Sequence, residues 1–176
     1  MSLPTPSVSF SKEALDKIEH LKTRYPDVQA ACLPVLHVAQ DEFGYLPDAA
    51  IDLVAEVLGL PSAHVYGVAT FYTMYHRKPT GKHKLWVCTN VSCMLKGGYD
   101  VLHGLEKKLG IHAGETTSDG EFTLIEEECL AACAGAPCIV ANDKYYLDVL
   151  PDQIDKILDE VKAQPADTKA LRKTTS

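Results

Sequence analysis

Six cysteines constrain this chain more than any other feature of its 176 residues. Three of them lie within residues 129–138, which read Cys-Leu-Ala-Ala-Cys-Ala-Gly-Ala-Pro-Cys. The residues between these cysteines are almost all small, which lets a backbone wrap closely around a bound group. Thiolates are soft ligands, suited to zinc or to iron–sulfur clusters. The segment therefore indicates a loop that helps to bind a metal centre.

Composition and charge narrow the class of protein. Hydrophobic residues make up 46% and charged residues 23%, as in ordinary soluble globular proteins. No apolar run approaches the ~20 residues of a membrane span, so we expect no direct membrane insertion. The N-terminal residues Met-Ser-Leu-Pro-Thr-Pro lack the basic flank and apolar core of a secretory signal. We therefore expect a reducing compartment, where cysteines favour metal or redox chemistry over disulfides.

The distribution of charge excludes two classes of partner. The chain carries 17 basic and 24 acidic residues, which gives a net charge of −7. No segment of the sequence forms a basic block. This pattern argues against nucleic acid and against anionic membrane surfaces as partners.

The first half of the sequence is typical of a small all-helical unit. Hydrophobic spacing predicts four helices, at residues 11–25, 30–43, 48–58 and 62–71. Pro26 stops the first helix, Pro47 opens the third, and Gly59 closes it. We predict a helical domain over residues 10–80, preceded by a flexible N-terminus over residues 1–9.

The second half alternates between strands and helices. The pattern predicts a strand at 84–89, a helix at 99–109, a strand at 122–126, a hairpin formed by 139–141 and 145–147, and a last helix from Pro151. A strand–helix–strand unit normally makes a right-handed parallel crossover, and the hairpin adds antiparallel strands. We therefore predict an α+β fold, with a helical bundle followed by a thioredoxin-like α/β domain with a mixed sheet over residues 81–164. Residues 165–176 are predicted to be a disordered tail.

Four cysteines form two close pairs on this predicted sheet. Cys88 lies at the end of the first strand and Cys93 follows it, and Cys129 and Cys133 follow the second strand. Because the ends of parallel strands open on the same edge of a sheet, the two pairs can converge there without a long loop. Four thiolates are the full coordination set of a [2Fe–2S] cluster.

Zinc is the main alternative to the cluster. Structural zinc sites accept four cysteines with two to four residues between paired ligands, and both pairs satisfy this spacing. Zinc ribbons and knuckles usually use Cys-x2-Cys turns, however, and the chain has none. The small residues around the second pair also suit a bulky cluster, whose sulfides need close backbone N–H donors. The spacing therefore favours the cluster modestly.

Two further cysteines need an interpretation. Cys138 repeats the first pair's spacing relative to Cys133, so it competes for a place in the ligand set. It also begins a predicted strand, and a buried free cysteine behaves as a small hydrophobic residue. We therefore interpret Cys138 as a packing residue, and Cys32, in the helical unit, in the same way.

At these residues the sequence resembles a known family, the 24-kDa-type, thioredoxin-like [2Fe–2S] subunit of NADH:quinone oxidoreductase (respiratory complex I). The resemblance covers residues 10–162. It rests on Cys88-Thr-Asn-Val-Ser-Cys93, Glu128-Cys129-Leu-Ala-Ala-Cys133, Ala136-Pro137, Asn142-Asp143, His37-Val-Ala-Gln40, Phe43-Gly-Tyr-Leu-Pro47 and Val65-Tyr-Gly-Val-Ala-Thr-Phe-Tyr-Thr-Met74. The family commonly has glycine where Ala131 or Ala132 stands, and a larger apolar residue where Cys138 stands.

The resemblance implies a cofactor, a ligand set and a partner. One [2Fe–2S] cluster per chain would be bound by Cys88, Cys93, Cys129 and Cys133. The chain would transfer electrons as a subunit of the NADH dehydrogenase and quinone-linked translocase, next to a flavoprotein subunit that binds NADH and FMN. It would join further subunits of the peripheral arm, on the cytoplasmic side of the cell membrane.

Two alternatives remain at this point. One is the equivalent diaphorase subunit of an NAD-linked hydrogenase or formate dehydrogenase, and the other is a zinc-stabilised interaction module without a redox role. The sequence has no Gly-x-Gly-x-x-Gly after a strand and no arrangement that suggests a nucleophile. We therefore expect no complete active site on this chain alone, and no catalytic residues.

Overall fold

A computed structural model describes residues 8–166, which form two compact units that divide between Pro79 and Thr80. Most of the predicted flexible N-terminus and of the predicted tail, residues 1–7 and 167–176, lies outside the described residues. Among the helices of residues 8–166, none is both long enough and apolar enough to cross a membrane.

The first unit consists of four helices. They are α1 (Lys12–Arg24), α2 (Cys32–Phe43), α3 (Asp48–Leu58) and α4 (Ser62–Phe71). The side chain of Ser11 accepts a hydrogen bond from the backbone N–H of Ala14 and so caps the start of α1. Gly59 ends α3 in the left-handed conformation, as the sequence predicts.

The core of the helical unit explains why these four helices pack together. Ile18, Leu36, Ile51 and Val65, one from each helix, have no exposed surface. Each such burial contributes roughly 1.5–3 kcal/mol. Cys32 lies in the same core, and burial raises the pKa of its thiol to about 11. At neutral pH Cys32 is therefore a neutral, apolar side chain.

The second unit contains a four-stranded mixed sheet. Its elements are β1 (His83–Cys88), α5 (Val91–Leu95), α6 (Gly98–Leu109), β2 (Phe122–Glu127), β3 (Ile139–Ala141), β4 (Lys144–Tyr146) and α7 (Ile154–Lys162). The strand order is β2-β1-β3-β4, with β1 and β2 parallel and the other two pairings antiparallel. The predicted fold class, helices followed by a mixed sheet with a parallel crossover and a hairpin, is confirmed.

Details of the hairpin and of the core follow from the sequence pattern. Asn142 and Asp143 both have positive φ, as a two-residue turn of type I′ requires. One face of the sheet packs against α6 and α7 through fully buried side chains such as Leu85, Leu105 and Leu124. The strand β1 is thus buried along its whole length.

Three short elements differ from the sequence prediction. Helix α5 follows β1 directly, a 3-10 turn spans Cys133–Gly135, and Pro151 opens a 3-10 turn before α7 begins at Ile154. Segments of three to five residues are too short to show a helical hydrophobic period, so periodicity does not reveal them. Two of the three carry cysteines.

We predict opposite effects for two glycine-to-alanine changes in the helical unit. Gly67 lies inside α4 with open space around it, so Gly67→Ala should increase the free energy of unfolding by about 0.5–1 kcal/mol. Gly59 also has open space, but its φ of 64° strains any other residue, so Gly59→Ala should decrease it by about 1 kcal/mol. Urea denaturation of the full chain measures both, and equal effects would contradict the assigned backbone conformations.

Candidate metal centre

Cys88 and Cys93 are brought together by a tight turn between β1 and α5. Cys88 is the last residue of β1, and the side chain of Asn90 caps α5 by accepting from the N–H of Val91. The backbone N–H of Met94 donates to the carbonyl of Asn90 at 2.8 Å, which closes the first turn of the helix. Both cysteines are buried, with no more than 3% of either residue exposed.

Gly98 fixes this turn from the other side. A Cβ atom at Gly98, the first residue of α6, would lie 2.9 Å from the carbonyl group of Cys93 and 3.0 Å from the carbonyl oxygen of Cys88. No side chain fits at that distance, so glycine allows the start of α6 to pack directly on the backbone of both cysteines. The predicted glycine-rich start of this helix therefore serves to hold the cysteine turn.

The second predicted pair lies in the loop that follows the neighbouring strand, β2. Glu127, the last residue of β2, is the partner of Cys88 in the parallel register, and Cys129 follows two residues later. Cys133 opens the 3-10 turn. Both cysteines are exposed, and their sulfurs are not part of the buried sulfur group that contains Cys88 and Cys93. The parallel pairing thus brings both loops to one edge of the sheet, as predicted, while the thiols of the second loop face solvent.

The loop that carries Cys129 is tied to the sheet by a hydrogen bond and shaped by a contact of its own. The hydroxyl of Tyr145 donates to the carbonyl of Leu130 at 3.0 Å. Within the loop, the backbone N–H of Ala131 lies 3.4 Å from the Sγ of Cys129, and Ala131 has a φ of 57°. A small residue tolerates this left-handed conformation best, which gives the alanine-rich composition a local reason.

Cys138 lies closer to the site than the sequence suggested. It precedes β3, and its carbonyl accepts from the N–H of Cys88 at 3.2 Å, so the two residues face each other across the antiparallel pair. Its Sγ is 3.9 Å from the Sγ of Cys93. Within residues 8–166, the one group of three His, Cys, Asp or Glu side chains close enough to share a metal ion consists of Cys88, Cys93 and Cys138. The signal that could have revealed this is the position of Cys138 at the start of the strand that pairs with β1.

The three buried thiols differ in pKa because their environments differ. Burial raises the pKa of the Cys88 thiol, but hydrogen bonds from the backbone N–H groups of Leu130 and Asn90 and from two neighbouring thiols together outweigh this, so its pKa lies below the usual value. Burial and the neighbouring Cys88 raise the pKa of Cys93. Burial also raises the pKa of Cys138, to about 12. Cys88 is therefore the thiol of this group that ionises first.

The donor set fits a soft metal centre. The two loops supply four thiols, with two buried on the sheet side and two exposed on the solvent side. Backbone N–H groups from Asn90, Leu130 and Ala131 already point at two of the sulfurs. Such donors offset the negative charge of thiolates, which bridged iron–sulfur clusters and zinc sites both require.

Comparison with known proteins also supports a metal centre bound by thiolates. A family model described as thioredoxin-like [2Fe–2S] ferredoxin matches residues 18–162. The E subunit of the NADH-quinone oxidoreductase of Rickettsia bellii is 41% identical over 165 residues, covering 92% of this chain and 99% of its own. An E subunit of the NADH-quinone oxidoreductase of Rhizobium meliloti is 44% identical over 148 residues, covering 84% and 88%.

A solved structure shares the fold at lower identity. The NAD+-reducing [NiFe]-hydrogenase in the H2-reduced state contains a chain that matches 76% of this one with a TM-score of 0.60 and 21% sequence identity. The match spans 22% of that longer chain. At this identity the likeness concerns the fold alone.

We expect Gly98→Ala to disrupt the cysteine turn. The added methyl group must displace the backbone of Cys88 or Cys93, which should lower the free energy of unfolding by roughly 1–3 kcal/mol and speed the alkylation of Cys93. Gly104→Ala is the matched control in the same helix, since its methyl group meets only the Cδ1 atom of Ile154, which can rotate away. Urea denaturation measures the free energy of unfolding, and peptide mass spectrometry after alkylation measures the reaction of Cys93. Equal values of both quantities in the two variants would refute the close packing at Gly98.

Proposed function

Because this chain belongs to the thioredoxin-like [2Fe–2S] ferredoxin family, we propose that it carries one [2Fe–2S] cluster on Cys88, Cys93, Cys129 and Cys133. When bound, such a cluster accepts and donates electrons one at a time. The chain would thereby act as an electron-transfer subunit of an NADH-oxidising complex. The observation that carries the proposal is the register of Cys88 opposite Glu127, because it sets the Cys88 loop beside the loop of Cys129 and Cys133.

The uneven burial of the four cysteines suits an electron carrier. Cys88 and Cys93 are enclosed by the sheet and by α6, which anchors a bound group to a rigid element. Cys129 and Cys133 are exposed, so a cluster bound to them would have one side at the protein surface. Electrons can then enter or leave without crossing the protein interior.

The residues around the loops tune the redox chemistry in two directions. Backbone N–H groups of Leu130, Asn90 and Ala131 approach the sulfurs, and hydrogen bonds to sulfur stabilise the more negative, reduced state. Glu126 and Glu128, at the end of β2, are exposed and oppose reduction because reduction adds negative charge. Ligation by four thiolates, without histidine, favours a low potential.

The relatives point to the complex in which this chain works. Their names identify them as E subunits of NADH-quinone oxidoreductase, and the similarity extends over most of both chains. We assign this chain to the same role, within a multi-subunit NADH dehydrogenase. Its partner would be the flavoprotein subunit that binds NADH and FMN, in a peripheral arm on the cytoplasmic side of the membrane.

Exposed apolar side chains around both cysteine loops support a protein partner at this site. On the α5 side, Val91 and Leu95 are 58% and 78% exposed. On the hairpin side, Tyr145 and Leu147 are also exposed, and they contact the second loop at Leu130 and Gly135. Apolar side chains that surround a site in this way are typical of a surface that a partner covers.

We expect substitutions of the proposed ligands to separate the cluster from alternative metals. Cys88→Ser and Cys129→Ser should abolish or strongly perturb the EPR signal of the dithionite-reduced full chain, because each removes a thiolate from iron. Cys32→Ala and Cys138→Ala are the controls and should leave the signal in place. An unchanged signal in Cys129→Ser would overturn the ligand assignment. A colourless wild-type protein that contains zinc but neither iron nor sulfide would overturn the electron-transfer function itself.

The partner surface can be tested with a charged side chain beside the cluster loops. Leu95→Asp should weaken binding to the co-expressed flavoprotein by at least about tenfold, because burying a leucine at an interface contributes about 1.5–3 kcal/mol. Lys107→Asp, at an exposed position of α6, is the control and should not weaken this binding. The measure is the flavoprotein that co-purifies with each variant, at equal iron content. The other subunits that co-purify identify the host complex. They belong to a quinone-linked complex, to a hydrogenase or to a formate dehydrogenase.

A further inference from the structure

Three buried thiols from three different elements form a compact sulfur group in this chain. Cys88 ends β1, Cys93 lies in α5, and Cys138 precedes β3. Their sulfurs all lie within 4.8 Å of one another, and those of Cys93 and Cys138 are 3.9 Å apart. Only Cys88 and Cys93 belong to the proposed cluster site, so Cys138 is a third donor for which that site has no use.

The protein backbone positions the three cysteines of this group without a contribution from the thiols of Cys129 and Cys133. Cys88 and Cys138 are joined by a hydrogen bond between β1 and the residue before β3. The turn that carries Cys93 is held by the cap at Asn90 and by the contact with Gly98. Cys129 and Cys133 take no part in these contacts. The three sulfurs are therefore preorganised without ligation by Cys129 or Cys133.

The spacing of the sulfurs matches that around a single thiophilic ion. Zinc binds thiolate sulfur at about 2.3 Å, so sulfurs that share one zinc ion lie about 4 Å apart. The distance of 3.9 Å between Cys93 and Cys138 agrees with this, and the limit of 4.8 Å leaves room for the longer bonds of a larger soft ion. Ala136 and the partly buried Leu130 enclose the group, so water competes poorly with the thiolates.

We propose that the cluster-free chain binds one thiophilic divalent ion of the zinc type through Cys88, Cys93 and Cys138. Binding releases the protons of the thiols to the solvent and forms three metal–sulfur bonds, with no oxidation or reduction. The backbone N–H groups that approach Cys88 and Cys93 reduce the cost of the resulting negative charge. This site does not require that a cluster ever binds to the chain.

Sharing of ligands makes the two metal centres mutually exclusive. The ion and the cluster both need Cys88 and Cys93, but only the ion needs Cys138, and only the cluster needs Cys129 and Cys133. A chain that holds the ion therefore cannot take up a cluster until the ion leaves. Cys138 thus determines how strongly a competing metal blocks cluster assembly.

Titration of the reduced, cluster-free full chain with Cd²⁺ tests the site. The wild type should bind one ion per chain and develop the ultraviolet charge-transfer absorbance of thiolate–cadmium bonds. Cys138→Ala should lose about a third of that absorbance and bind on the order of 100-fold more weakly, since one of three ligands is missing. The double variant Cys129→Ser/Cys133→Ser should bind as the wild type does. Cys138→Ser is the second variant if Cys138→Ala does not fold by circular dichroism.

Two outcomes would overturn the proposal. Unchanged affinity and absorbance in both Cys138 variants would remove Cys138 from the site. Loss of binding in the Cys129→Ser/Cys133→Ser variant would mean that the ion occupies the proposed cluster ligands instead.

A competition experiment gives a second readout. An equimolar amount of Zn²⁺ should slow reconstitution with iron and sulfide by at least about tenfold in the wild type, and much less in Cys138→Ala. Equal slowing of both would contradict the role of Cys138. Failure of the wild type to form any cluster would count against the proposed function, while the cadmium titration would still report on the three-cysteine site.

Discussion

The parallel pairing of β1 with β2 is the interaction on which the arrangement at the sheet edge depends. It aligns Cys88 with Glu127 and continues one residue further, where the N–H of Thr89 donates to the carbonyl of Glu127 at 3.1 Å. Both segments leave the sheet at this point, so the two cysteine loops begin side by side. A register shift of one residue would turn the side chain of Cys88 to the opposite face of the sheet. The buried side chains of β1 and β2 prevent that shift, since Leu85 and Leu124 would leave the core.

The site also depends on how the protein accommodates several sulfur atoms in a confined space. Buried thiolates are unfavourable unless hydrogen bonds or a metal offset their charge. Here the backbone supplies part of the offset, because both loops direct N–H groups at sulfur. Small residues make this possible: Gly98 admits the start of α6, and Ala131 adopts a left-handed conformation. The small-residue composition of the loops is therefore a consequence of bringing backbone close to sulfur.

The sequence predicts the long helices and the strands well and the short helical segments poorly. The bounds of α3, α4 and β3 follow directly from hydrophobic spacing, proline and glycine. Helix α5 and the turn at Cys133–Gly135 escape prediction because five or three residues show no period. For the site, the parallel crossover predicts that the two cysteine pairs share an edge. It cannot predict that Cys129 and Cys133 are exposed, because that depends on the path of a loop that no pairing rule constrains.

Cys138 shows where reasoning from spacing reaches its limit. Spacing along the chain relates Cys138 to Cys133, its neighbour in sequence, whereas the fold relates it to Cys88 and Cys93, which lie more than forty residues away in sequence. Its burial alone is equally consistent with packing and with ligation, since both remove the thiol from water. Two thiols in contact and two sulfurs that share an ion both lie about 4 Å apart, so the observation that favours ligation is the convergence of three sulfurs within 4.8 Å of one another. The strand that pairs antiparallel with β1 thus brings a third thiol to the buried side of the site, while Cys129 and Cys133 lie in the exposed loop.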